Sequence, residues 1–245
     1  MRAWVVRIAP LLTLGAFLLL WYGLSLRYPP FILPGPQLVA QTLVARIADG
    51  TLLMNTAVTL SEALPGLVLG ALFGFAVGYP IAKSHIADRL LSPFIVASQG
   101  VPFIAIAPLL LIWFGNDTGA KILLCAVVVF FPITINVIVG LRGISPLLSE
   151  LFRSMNASRW ETFTHLEVPA ALPLMLAGLR VGGTLAMVGA LAAEFLGTDR
   201  GLGFVINQGN GLYDTSLVMA GIVTIVAVTL CIYGCIRYIE LKAMR

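Results

Sequence analysis

The stretch AKILLCAVVVFFPITINVIVG, residues 120–140, carries one charge, Lys121, at its very start and no other. A helix crossing the hydrocarbon core of a bilayer needs about 20 mostly apolar residues, and this run has that length and that composition. The rest of the chain reads the same way. Of 245 residues 59% are hydrophobic and 11% charged, with a mean hydropathy of +0.99. A soluble domain carries about 25% charged residues, and a single soluble core cannot bury so large an apolar share. An ordinary soluble enzyme, a disordered chain and a nucleic-acid binder are excluded, the last despite a pI near 9.2. The expected fold is an all-α membrane protein, one transmembrane domain over residues 1–245.

Further apolar runs occupy residues 8–26, 63–82, 94–114, 171–196 and 215–236, which predicts six transmembrane helices. The first, behind Arg2 and Arg7, is read as a retained span because no A-x-A-like cleavage site precedes Arg27. With the N-terminus in the cytoplasm, the inside segments hold Arg2, Arg7, Lys83, Arg89, Arg142, Arg153, Arg159, Arg237, Lys242 and Arg245. The outside segments hold only Arg27, Arg46, Lys121 and Arg200. The positive-inside rule therefore puts both termini in the cytoplasm. Outside, Pro29, Pro30, Pro34 and Pro36 break any helix, and Gln37 to Ile47 reads as a short amphipathic helix along the outer surface.

Gly66, Gly70, Gly74 and Gly78 form one ridge along the second span. Gly178, Gly182, Ala186 and Ala190 form another on the fifth, with Glu194 continuing the stripe. Small residues let helix backbones approach closely in lipid; the ridges fit either sliding helices or static packing. Cys231 and Cys235 share a helix face and read as a buried pair of small side chains. No nucleotide-binding loop, zinc motif or nucleophile–base pair is present, and no two carboxylates are expected to face each other within the spans.

The longest inside segment, 141–169, is too polar to span. Ser158 and Glu161 form a capping box that starts a helix near Arg159, placing Trp160 and Phe163 on one face. A second short helix is expected before Met155. Asn156 between them tolerates a left-handed backbone, so the segment is two short helices joined at a sharp bend. Two readings stand: docking into a groove on a partner protein, or resting on the inner membrane surface.

The same loop resembles the signature E-A-A-x3-G-x9-I-x-L-P of binding-protein-dependent ABC-transporter permeases. Glu150 matches the glutamate, Leu151 and Phe152 stand for the alanines, Asn156 for the glycine, and Leu166, Val168 and Pro169 match the end, with every interval kept. Leu33-Pro34-Gly35-Pro36, Asn55-Thr56-Ala57-Val58-Thr59-Leu60, Phe130-Phe131-Pro132, Pro169-Ala170-Ala171-Leu172-Pro173, Ala193-Glu194-Phe195-Leu196 and Gly201-Leu202-Gly203 are similar to the nitrate, sulfonate and taurine branch. That branch also includes importers of pyrimidine vitamin precursors and riboflavin. Glu62 departs from it, since a basic residue is expected there.

The resemblance implies a permease without catalytic residues, working as a homodimer in the bacterial inner membrane. Two cytoplasmic ATPase subunits, which carry the ATP and Mg while this chain binds no cofactor or metal, would grip Glu150, Asn156, Ala157, Ser158, Trp160, Phe163, Leu166 and Pro169. A periplasmic or lipid-anchored binding protein would deliver substrate from outside. Membrane lipid is a partner and nucleic acid is not. A small anion such as a sulfonate, taurine or nitrate is the first substrate expectation, a pyrimidine vitamin precursor or riboflavin the second; a secondary transporter or channel would leave the loop unexplained. Ionisable residues inside spans are functional candidates. Glu194, near the outer mouth, is expected to gate entry or orient loops, or simply to bond nearby backbone. Arg180, taken as the sole cation inside a span, is expected to attract substrate at the inner exit, to snorkel, or to pair with an acidic loop residue. The segment Gly197 to Asp214 either meets the binding protein, plugs the mouth, or is ordinary turn structure.

Overall fold

The computed structural model describes residues 2–98, 100–196 and 198–243; the side chains of 2–8, 10, 11 and 104 fall outside the description, and with them Arg2, Arg7, Gly197 and Arg245 of the sequence reading. Among the described residues the regular structure is helical throughout, with no strand. In chain order the helices are α1 (Arg2–Ser25), α2 (Pro36–Ala48), α3 (Thr51–Lys83), α4 (His85–Ser98), α5 (Phe103–Phe114), α6 (Thr118–Arg142), α7 (Pro146–Ser154), α8 (Arg159–Thr162), α9 (Val168–Glu194), α10 (Leu202–Gly211) and α11 (Thr215–Ala243).

Four stretches are long and apolar enough to cross a membrane: Thr51–Lys83, Thr118–Arg142, Arg159–Glu194 and Thr215–Ala243. In the first predicted run the described apolar part is Leu12–Ser25. The third run, read from sequence as one span, is two helices. Gly100 N–H bonds to the Ala97 carbonyl, and Pro102, extended at φ −68° and ψ 109°, has no N–H to continue α4 and instead begins α5. The second run begins earlier than its hydropathy suggests. The Thr56 hydroxyl and the Asn55 amide bond back to carbonyls four residues earlier, which satisfies polar side chains inside the helix. At 33 residues α3 is roughly 50 Å long, so the segment Thr51 to Glu62 is a helix end and not an outside loop.

The central helix is α6, clasped between α3 and α9, with Cys125, Val129, Ile133 and Val137 buried against Ala63, Leu67, Ala186 and Ala190. The glycine ridge of α3 is what allows this. A Cβ on Gly66 would sit 2.3 Å from Cys125 Cβ, and one on Gly70 would sit 2.6 Å from the Ala126 carbonyl oxygen. Gly74 and Gly78 meet Ile133 and Thr134 in the same way. On the other side Gly178 faces Asn136 and Gly182 faces Val129. Both small-residue stripes are thus consumed by close packing on α6 within one chain.

The remaining helices surround this sandwich. Leu202 and Val205 of α10 pack with Leu52 and Leu217, and Ala107 of α5 with Leu124 and Ala193. The amphipathic reading of residues 37–47 matches α2, which buries Val39, and α1 is tied to the loop before α2 by Trp21 Nε1 donating to the Pro34 carbonyl, 3.0 Å. Cys231 and Cys235 are exposed, not buried: they line an apolar groove between α3 and α11 with Leu60, Leu64 and Ile232. Helix α11 is apolar nearly all round, so composition could not say which face turns inward.

Candidate functional site

One end of the bundle carries the bent loop. Helix α7 ends at Ser154, and Asn156 takes φ 53°, the left-handed region that an asparagine enters more readily than other non-glycine residues. Asn156 N–H donates to the Arg153 carbonyl and Ala157 N–H to the Phe152 carbonyl, each at 3.1 Å, which closes the bend. The capping box then starts α8: Glu161 N–H donates to Ser158 Oγ at 3.2 Å, and Ser158 N–H donates to Glu161 Oε2 at 2.7 Å. Hydrogen bonding from Ser158, side chain first and backbone second, holds the exposed Glu161 carboxyl below its ordinary range. From Phe163 to Glu167 the ladder widens to a π turn, with Val168 N–H reaching back to the Phe163 carbonyl. Pro169 follows directly; its ring and missing N–H are incompatible with a regular ladder there.

The two aromatics of this limb do different things. Trp160 is 71% exposed and stacks on Phe163 at 5.7 Å. Phe163 turns inward, edge-on to Tyr79 at 5.5 Å and to Phe75 at 6.5 Å on α3. Below it Leu166 is buried, and Glu167 accepts from Tyr79 Oη at 2.9 Å and pairs with Lys83. Glu150, Asn156, Ser158, Trp160 and Pro169 are the exposed members of the predicted set; Ala157 is half-buried, and Phe163 and Leu166 anchor the loop to the bundle.

The opposite end holds a buried polar latch. Gly201, Leu202 and Gly203 present their N–H groups at the start of α10, where a helix leaves donors unpaired. Each meets a side chain: Gly201 N–H donates to Asn55 Oδ1 at 2.7 Å, Leu202 N–H to Thr59 Oγ1 at 2.9 Å, and Gly203 N–H to Glu194 Oε2 at 2.6 Å. The Thr59 hydroxyl also donates to Glu194 Oε1 at 2.6 Å. Gly201 adopts φ 104° and ψ 166°, a conformation open essentially to glycine alone. Glu194, fully buried, sits where its Cβ would be. Glu194 thus bonds to the backbone at the start of α10.

Four expectations need correction here. Glu62 is buried, not in an outside segment: it is 1% exposed and its Oε1 accepts from Lys121 Nζ at 2.9 Å, so the acid that stands where a basic residue is expected is paired with a base on the facing helix. Lys121 is thus a second cation inside the bundle beside Arg180. Glu62 and Glu194 also interact with each other, so two carboxylates do share a site. Both are sealed by protein, one by Lys121 and the other by Thr59 and the α10 backbone, and neither is open to a substrate. Arg180 does not reach the loop. Its Nε lies 3.1 Å from Glu240 Oε2 on α11 as an ion pair, with its guanidinium over the Tyr233 ring at 5.8 Å.

Sequence reasoning missed Asn55, Thr59, Lys121, Tyr79, Glu167 and Glu240. A signal existed for the first two: Asn55, Thr59 and Glu62 fall at helical spacing on one face of an otherwise apolar segment. Their partners, more than a hundred residues away, left no local trace.

Residues 66–245 match the family model described as binding-protein-dependent transport system inner membrane component. The chain is 38% identical over 223 residues to the riboflavin transport system permease protein of Chloroflexus aurantiacus, covering 90% of this chain and 83% of that one. It is 32% identical to the formylaminopyrimidine transport permease protein of Halalkalibacterium halodurans, covering 86% and 84%. It is 31% identical to the taurine transport system permease protein of Escherichia coli, covering 87% and 80%. In fold it is similar to a chain of the inward-facing MetNI methionine ABC transporter, with TM-score 0.61 and 20% identity over 77% of this chain and 97% of that one.

Proposed function

Because the chain belongs to the binding-protein-dependent transport system inner membrane component family, we propose that it is the pathway-forming, non-catalytic subunit of an ATP-driven importer. Two copies form the pathway, two cytoplasmic ATPase subunits carrying ATP and Mg hold the loops, a binding protein delivers substrate from outside, and both termini lie in the cytoplasm. The observation that carries this reading is the loop. Its exposed Glu150 and Trp160 form a docking surface, while the Trp160–Phe163–Tyr79 ladder and the Lys83–Glu167 pair hold it rigidly on α3.

The second limb of that loop runs without interruption into α9. Arg159–Glu194 is one 36-residue rod, roughly 50 Å long. One end meets the ATPase; the other carries Glu194, which grips the start of α10. A displacement of Trp160 by closing ATPases tilts the rod, and the latch makes α10 follow. ATP and loaded binding protein then bias two arrangements of similar free energy.

For the substrate we favour a neutral heteroaromatic compound of the vitamin-precursor class. Both cations identified inside the spans, Arg180 and Lys121, are neutralised by Glu240 and Glu62, which removes the electrostatic ground for an anion. The riboflavin and formylaminopyrimidine permeases among the relatives support it. The taurine relative keeps a small sulfonate as the second reading.

Purification of the chain from gently solubilised native membranes tests the class. A co-purifying ATPase at about one copy per permease is expected; recovery of the chain alone, in detergent that preserves other complexes, would instead support a secondary transporter or channel. Uptake of riboflavin against taurine by the reconstituted complex decides the substrate.

A further inference from the structure

A cavity of about 620 Å³ opens at the loop end of the bundle, lined by Tyr79 and Lys83 from α3, Ser149 and Arg153 from α7, Arg159 from α8, and Glu167. Its charges do not balance. Glu167 is already engaged by the Tyr79 hydroxyl and Lys83. Arg153 and Arg159 have no ion-pair partner among the described residues. Glu161 is held in the capping box, and Glu150, three residues before Arg153 on α7, forms no ion pair with it among the described residues. Three cations therefore surround one space with a single carboxylate among them.

The positive-inside rule explains why lysines and arginines lie on this side. It does not explain why three of them, from three elements, converge on one concavity with the hydroxyl of Ser149. Guanidinium groups offer paired N–H donors in a fork that fits a phosphate or carboxylate, and a phosphate adds a second charge and a third acceptor oxygen. Basic pockets at the cytoplasmic ends of membrane helices have the chemistry for phosphate headgroups. The volume is within the range of small-ligand sites.

We propose that this cavity binds a phosphate group, carried by an anionic phospholipid of the adjoining leaflet or by a phosphorylated solute, and that the bound group ties α7 and α8 to the end of α3. Occupancy stiffens the loop at its root and makes its response to a partner depend on the anion. The inference rests on the loop reading above, since Ala157 of the ATPase-facing set also lines the cavity, although Glu150 and Trp160 do not.

The test uses the full chain, purified without added phosphate. One arm titrates inorganic phosphate at constant ionic strength and follows thermal unfolding; the other compares nanodiscs of phosphatidylcholine alone with nanodiscs containing phosphatidylglycerol, reading retained lipid by native mass spectrometry. Wild type is expected to respond in at least one arm, and Arg153→Gln/Arg159→Gln to bind at least about tenfold more weakly. Should the double variant not fold, Ser149→Asp, which places a carboxylate in the cavity from an exposed position, is expected to abolish the response. A response to phosphate alone identifies a soluble ligand, and one to phosphatidylglycerol alone a lipid. Silence in both arms overturns the proposal. So does a double variant that binds neither probe differently from wild type yet loses its ATPase on co-purification, which would assign the arginines to an acidic side chain of that partner.

Discussion

Substituting Gly201 by alanine tests the latch at its tightest point. Its backbone, at φ 104° and ψ 166°, costs a non-glycine residue about 1–3 kcal/mol. The added Cβ would also fall 2.2 Å from Glu194 Cδ and 2.2 Å from its Oε1, well inside contact distance. The carboxylate has no free space to retreat into, being buried between Thr59 and the α10 backbone. Moving it breaks the bonds from Gly203 N–H and the Thr59 hydroxyl, each costing about 1–3 kcal/mol when a buried partner is left unpaired. Some strain is relieved by whichever route the chain takes, so a loss of at least about 3 kcal/mol is expected. For a domain of this size that corresponds to a fall in Tm of about 6–12 °C. The assay is thermal unfolding of the detergent-solubilised chain, read by fluorescence-detected gel filtration. A cycle with Glu194→Ala separates the terms: with the carboxylate gone, the alanine at 201 is expected to cost only its backbone strain. A Gly201→Ala variant that unfolds within about 2 °C of wild type would refute the argument, as would full additivity of the two substitutions.

Other consequences follow from the same structure. Gly70→Leu is expected to lower the yield of folded chain sharply, because even a Cβ there meets the Ala126 carbonyl oxygen at 2.6 Å. The dimer fraction of the protein that does fold is expected to stay unchanged, since the ridge faces α6; selective loss of dimer would place it at an interface between copies. Trp160→Ala or Glu150→Lys is expected to abolish ATPase co-purification while membrane insertion, measured by fractionation, stays normal; normal transport by both would remove the coupling role. Asn156→Gly is expected to match wild type in thermal stability, whereas Asn156→Ala loses about 1 kcal/mol for the left-handed backbone; equal effects would show that the bend is not held by conformation. The Glu161 carboxyl lies below its ordinary range in the folded loop, so its contribution is present above the unfolded value and is lost as pH falls through the folded one. Protection of the Ser158 amide against exchange, corrected for intrinsic chemistry, is therefore expected to fall on acidification, and protection independent of pH would contradict the capping role.

The features legible in the chain alone are those set by neighbours within a turn or two of helix, or by composition over about 20 residues. The apolar run at 120–140 announced α6, the Ser158–Glu161 spacing announced the start of α8, and Asn156 announced the bend. Each depends on local backbone chemistry, which a neighbour far along the chain cannot change. The intervals from Glu150 to Pro169 likewise carried the family resemblance. What faces what was decided only in three dimensions. A small-residue stripe says that something packs closely, but which helix does so depends on how both are rotated about their axes, and here the answer is α6 for both stripes. The salt bridge of Glu62 with Lys121 joins residues separated by 59 positions, and the bond from Leu202 to Thr59 spans 143. Nothing in either local sequence marks its partner, because a buried charge is tolerated only where another element brings the compensating group, and that is a property of the assembled bundle.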